Sequence, residues 1–110
     1  METDPSTRIK VFAGICGFTT TIHVTAKPGY KAQVVLETDC PNYKKVGASL
    51  EGKSLNVMDE MFKKQASVVL DLCNTLVPHI SCPVPSAIFK ALEVSAKLAL
   101  PCDPTITFLD

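Results

Sequence analysis

Three of the five cysteines in this 110-residue chain stand where the backbone has to turn. Cys16 sits between Ile15 and Gly17 with Gly14 close by, Cys40 lies between Asp39 and Pro41, and Cys82 ends the run His79, Ile80, Ser81 and precedes Pro83. A cysteine kept for packing behaves as a small apolar residue inside a helix or strand. At the ends of such elements, backbone N–H groups are free to stabilise a thiolate, the form that ligates soft metals and attacks electrophiles. Cys40 and Cys82 are each followed by proline, which holds the preceding residue extended and fits the first turn of a helix. Both sulfurs are therefore expected at helix starts, where unpaired N–H donors and the helix dipole favour negative charge. The chemistry these residues suit best is a thiolate cluster that binds metal.

Cys16, Cys40 and Cys82 need a fourth partner, and two residues compete for the place. His79 has His-x-x-Cys spacing with Cys82, while the helical phase of Cys73 puts it on an apolar stripe. Three thiolates and an imidazole match a known structural zinc set. A sulfur-dominated site with an open or cysteine fourth position would equally suit an iron–sulfur cluster. The expected cofactor is thus zinc or an iron–sulfur cluster. The chain contains no Cys-x-x-Cys pair, so any ligand set must be assembled from remote segments. A second reading makes Cys82 a nucleophile with His79 as its base and Cys40 or Cys16 as the resolving thiol. A third treats the cysteines as incidental to a homodimeric binding module that uses the exposed edge of a sheet. Whether the protein is an enzyme stays open at this level.

The elements that must position these residues follow from hydrophobic periodicity. Residues 9–15 alternate Ile9, Val11, Ala13 and Ile15 against Lys10, Phe12 and Gly14, which predicts a half-buried strand ending in a turn at Cys16 and Gly17. Residues 19–26 place Ile22, Val24 and Ala26 on one face and Thr21, His23 and Thr25 on the other. Pro28 and Gly29 suit a type II turn, after which residues 31–39 return with Ala32, Val34 and Leu36 inward. Tyr43, Val46 and Leu50 recur at helical spacing after Pro41, and Gly47 and Gly52 keep that helix short. Ser54 is a candidate cap for a second helix carrying Val57, Met58, Met61 and Phe62. A third helix is expected over residues 66–76 through Ala66, Val69, Leu72, Cys73 and Leu76, although Val68, Val69 and Leu70 alone would also read as a short buried strand. A fourth is expected over residues 86–100 through Ile88, Ala91, Leu92, Ser95, Leu98 and Ala99, ended by Pro101. Residues 105–109 alternate and are β-branched, so they read as a final strand joining the sheet.

The expected fold is α+β: a three-stranded antiparallel meander, helices packed on one face, and a C-terminal strand joining the sheet. Residues 1–8 read as a flexible N-terminus and residues 9–110 as one domain. In an up-down-up meander, the first turn and the end of the third strand share one edge of the sheet, which should make Cys16 and Cys40 neighbours. A helix of about fifteen residues spans about 22 Å, so Cys102 at its far end cannot share a small site with Cys82.

Composition narrows the remaining classes. Hydrophobic residues make up 46% and charged residues 20%, as in ordinary globular chains. Lys plus Arg and Asp plus Glu are equal at 11 each and mixed along the sequence, which argues against nucleic-acid binding. No apolar run reaches membrane-spanning length, and the polar residues 1–8 carry no secretory core, so a cytoplasmic setting with reduced thiols is expected. Met58, Met61 and Phe62 read as core filler, and His23 as a surface residue. Asp59 with Glu60 forms no evident paired-carboxylate site, and no phosphate-binding fingerprint is present.

The segments around Cys16, Cys40 and Cys82, with Gly14, Gly17, Phe18, Asp39, Pro41, Asn42, His79, Pro83 and Pro85, resemble small functionally uncharacterised proteins of anaerobic bacteria and archaea. The resemblance spans nearly the whole chain and implies no activity. An anaerobic source would favour the iron–sulfur alternative.

Overall fold

The computed structural model describes residues 6–110 as an antiparallel sheet with helices packed on one face. Three strands form the expected meander: β1 (Ser6–Phe12), β2 (Thr19–Lys27) and β3 (Lys31–Thr38). The register pairs Ile9 with Ile22 and Val24 with Val34, so one face carries the apolar half of each alternation. On that face Ile22, Val24, Ala32 and Val34 are buried beneath the helices. The opposite face is more open. There His23 bonds Glu37 across the strands and is half-buried rather than fully exposed.

The first strand is displaced from its expected span. Ser6, Thr7 and Arg8 pair with Thr25, Val24 and His23, so order begins within the stretch expected to be flexible. Residues 1–5 of that stretch lie outside the described residues. At the other end β1 stops at Phe12, and Ile15, expected inward, is exposed. The chain turns here because Gly14 and Gly17 take left-handed backbone angles of 99° and 80°, with Ala13 N–H donating to the Phe18 carbonyl at 3.0 Å. In the second hairpin, Tyr30 joins Gly29 in left-handed geometry, so the loop is not the simple type II turn expected.

Helix α1 (Pro41–Leu50) buries Tyr43, Val46 and Leu50 against β3, as its periodicity predicts. A fourth strand does join the sheet, but it is β4 (Leu55–Asn56), which pairs with Ala32 and Lys31. Residues 105–109, expected to supply that strand, are exposed and unpaired. Because Leu55 and Asn56 are in the sheet, the next helix is capped by Asn56 rather than Ser54: its side chain accepts from Asp59 N–H at 3.1 Å.

The resulting helix, α2 (Val57–Phe62), lasts six residues and turns Val57 and Glu60 inward, leaving Met58 and Phe62 exposed. A single 3₁₀ turn (Lys64–Ala66) then leads to α3 (Val68–Leu76), which is capped by Ser67 and leaves Ala66 outside. Helix α4 (Val84–Ser95) packs on β1 and β2 through Ile88, Ala91 and Leu92. It ends earlier than expected. Lys97 is left-handed (φ 62°), and Leu98 N–H reaches back to the Glu93 carbonyl at 2.9 Å, the bonding of a Schellman-type stop. Leu98 is consequently exposed. Among the described residues, no helix is long and apolar enough to cross a membrane.

Candidate functional site

The meander brings its first turn to the edge where β3 ends, and the α3–α4 loop folds over the same edge. The result is a pocket of about 90 Å³ whose wall includes Cys16, Cys40, Cys82, His79, Thr20 and Tyr43. The first four come from the β1–β2 turn, the start of α1 and the loop before α4, so segments more than sixty residues apart in sequence meet at one hollow. A larger, shallower hollow of about 430 Å³ at the end of α4 has only Lys97 as a charged group on an otherwise apolar wall. Volume alone would favour it, but the smaller pocket is the one that gathers the thiols and the imidazole.

The two proline-linked cysteines are held differently. Cys40 is the N-cap residue of α1, with extended backbone, but its sulfur makes no capping bond to the helix. Its backbone is fixed instead: Cys40 N–H donates to Thr38 Oγ1 at 3.1 Å, and its carbonyl accepts from Lys44 N–H at 2.9 Å. Thr38 is in turn tied to the buried Thr20 by a hydroxyl–hydroxyl bond of 2.8 Å. This chain locks Cys40 to β2 and β3. Cys82 lies one residue before the α4 N-cap, which is Pro83, and is half-buried against the core. Cys16 and His79 are exposed on their loops.

Tyr43 is the residue that sequence reasoning left in the core stripe without a further role. Its body does pack in the core, and the residue is 1% exposed, yet its hydroxyl has no hydrogen-bond partner among the described residues. Burial, then Cys82, Cys73 and Cys40, push the phenol far above its ordinary pKa. Cys82 contributes most among the three sulfurs, but it does not meet hydrogen-bond geometry, and sulfur is a weak acceptor. The thiol stands close enough to perturb the phenol, while the oxygen has no well-formed hydrogen bond among the described residues. The available signal was the Cys-Pro-x-Tyr spacing, since residues three apart share a helix face.

Cys73, the alternative fourth ligand, is 7% exposed on α3 within the core and is absent from the pocket wall. Burial first, and Cys82 second, push its thiol up to about 11. Cys102 is exposed in the segment after α4 and also lies away from the pocket. Among the described residues, no three His, Cys, Asp or Glu side chains already stand close enough together to hold a metal ion. The three cysteines and His79 line one pocket without forming such a group.

Glu60 has a different role that the sequence did not disclose. Its buried carboxylate accepts from Ser67 Oγ at 2.8 Å and from the N–H groups of Val68 and Val69 at 2.7 and 3.0 Å. It caps the start of α3 from a neighbouring helix.

No curated protein and no solved structure matches the chain. A family model does match residues 7–108, from the first strand through the segment after α4, and the chain belongs to that family of unknown function, DUF6951.

Proposed function

We propose that the pocket is a thiolate-rich site for a soft metal, zinc or an iron–sulfur cluster, in a protein that works where thiols stay reduced. Cys40 and Cys82 form its fixed half, and Cys16 and His79, on exposed loops, close over the metal as it binds. The observation that carries this reading is the meeting of three cysteines and a histidine at one pocket, beside a buried phenol whose hydroxyl lacks a partner. The donor set is soft and matches the preference of zinc and iron–sulfur centres for thiolate. A bound metal would stabilise the folded state and, with a coordination position left open, would supply Lewis-acid or electron-transfer chemistry.

The chain's own residues prepare the site in three ways. The Thr20–Thr38 bond fixes Cys40, so less entropy is lost on binding. Pro83 restricts Cys82 ahead of α4. Tyr43 offers an O–H donor toward whatever acceptor occupies the pocket, such as a metal-bound sulfur.

A second reading takes Cys82 as a thiol nucleophile with His79 as base. It draws on Cys82 and His79 lining the same pocket.

Elemental analysis of protein purified without oxygen, chelator or histidine tag tests the proposal. Near-stoichiometric zinc or iron that is lost in a Cys40→Ser, Cys82→Ser double variant is the expected result. Metal-free protein that also fails to take up zinc or to be reconstituted with iron and sulfide would overturn it. A single hyper-reactive thiol at Cys82 would then favour the second reading.

A further inference from the structure

Residues 101–110 leave α4 as an extended segment with no strand pairing, and every residue in it is exposed. Ile106, Phe108 and Leu109 are 87%, 96% and 86% exposed, and unlike the isolated Ile15 and Ile80 they stand together in one segment. The family match runs through residue 108 and so takes in most of this segment. Its alternation, Thr105 and Thr107 against Ile106 and Phe108, is that of a strand half-buried on a sheet. Pro101 and Pro104 hold the residues before them extended and keep the segment from continuing the helix.

The sheet has a matching vacancy. The strand order β1-β2-β3-β4 leaves the outer edge of β1 without a partner among the described residues. On the helix-covered face, Ile9 and Val11 of β1 are only partly buried, and on the other face the strand exposes Arg8 and Lys10. A strand laid along this edge would set Ile106 and Phe108 beside Ile9 and Val11, and Thr105, Thr107 and Leu109 on the other face. Asp103 and Asp110 flank the segment, so its charge complements Arg8 and Lys10. None of these four is ion-paired among the described residues. The outer edge of β3 fits less well: β4 occupies part of it, and Glu37 and Asp39 add negative charge there.

We infer that residues 104–109 of one copy add as a strand to the β1 edge of a second copy, reciprocally, giving a two-fold dimer. Reciprocal exchange pairs both free edges and covers both apolar segments at once, as closed isologous symmetry requires. The contact is independent of the cysteine pocket, so it stands or falls apart from the metal reading.

Sedimentation velocity of the full chain under reducing conditions, with amide hydrogen exchange followed by NMR, tests the inference. The expected result is a dimer in which residues 105–109 and the β1 amides not bonded to β2 exchange slowly. An Ile106→Asp, Phe108→Asp variant should then sediment as a monomer with an unchanged far-ultraviolet spectrum. A monomeric full chain, a dimer that survives in the variant, or protection that appears at β3 instead of β1 would each overturn it. Should the variant fail to fold, the exchange pattern of the unaltered chain decides alone.

Discussion

Replacing Tyr43 by Phe removes one oxygen from the wall of the pocket and should make the metal-free protein more stable. The hydroxyl is buried and has no partner among the described residues, while the ring around it is core. Leaving a buried hydroxyl unpaired costs about 1–3 kcal/mol, and the substitution recovers that cost while keeping the packed ring. For a domain of this size, urea slopes run at about 1–3 kcal/mol per molar, so at a slope of about 2 the unfolding midpoint should rise by roughly 0.5–1.5 M with an unchanged slope. Circular dichroism during urea titration at neutral pH, with reductant and chelator present, reads this directly. Adding zinc should narrow the difference: the wild-type hydroxyl then gains an acceptor, and a ligand that binds only the folded state adds stability in proportion to its affinity. A Tyr43→Phe protein less stable than wild type in chelator would refute the reasoning, because the hydroxyl would then have a partner in the resting protein.

Cys73 makes stability depend on pH at the alkaline end. Its thiol is raised from 9.0 to about 11, so the folded state keeps a proton that the unfolded chain releases. Stability is complete below pH 9 and falls as the pH rises toward 11, by about 2–3 kcal/mol in all. Measured by urea titration in a Tyr43→Phe background, which removes the phenol's own contribution, this slope should flatten in Cys73→Ala; an unchanged slope would assign it to another group. Glu60→Ala strips three donors at the start of α3 of their acceptor and should cost about 3 kcal/mol, read as a fall in Tm of more than about 10 °C. Glu60→Gln should restore only part of that loss, because its NH₂ faces donors. A Glu60→Ala protein within about 0.5 kcal/mol of wild type would show that water replaces the carboxylate.

The parts of the fold legible in the sequence were those with a local cause. The β2 alternation of Ile22 and Val24 against Thr21 and His23 and the turn at Pro28 and Gly29 set the meander, and the proline after Cys40 marked the start of α1. Where the structure departs from expectation, the decisive contact is remote in sequence or depends on one unusual backbone angle. Leu55 and Asn56 carry no strand signature and are drawn into the sheet by Lys31 and Ala32. Helix α4 stops because Lys97 turns left-handed, a conformation that a lysine does not advertise. Residues 105–109 have the pattern of a strand, but the pattern does not say which edge they pair with.

The same division applies to the site. That Cys16 and Cys40 face one pocket follows from meander topology, and Cys82 joins them because its loop folds back over that edge. Helical phase placed Tyr43 inward correctly. That its hydroxyl stays unpaired beside three sulfurs depends on how deeply α1 sits on β3, which no local pattern encodes. Glu60 was hidden for a similar reason: its partners lie seven to nine residues further along the chain, across the turn that separates α2 from α3.

The central claim, a soft-metal site at this pocket, is tested most directly by titrating reduced protein with cobalt(II) and recording its absorption. Cobalt reports tetrahedral geometry through its visible bands and thiolate ligation through near-ultraviolet charge transfer. The account predicts both signals at one equivalent. They should weaken in Cys16→Ser, vanish in the Cys40→Ser, Cys82→Ser double variant and remain unchanged in Cys102→Ser. No thiolate charge transfer at excess cobalt, or a spectrum that survives in the double variant, would contradict it.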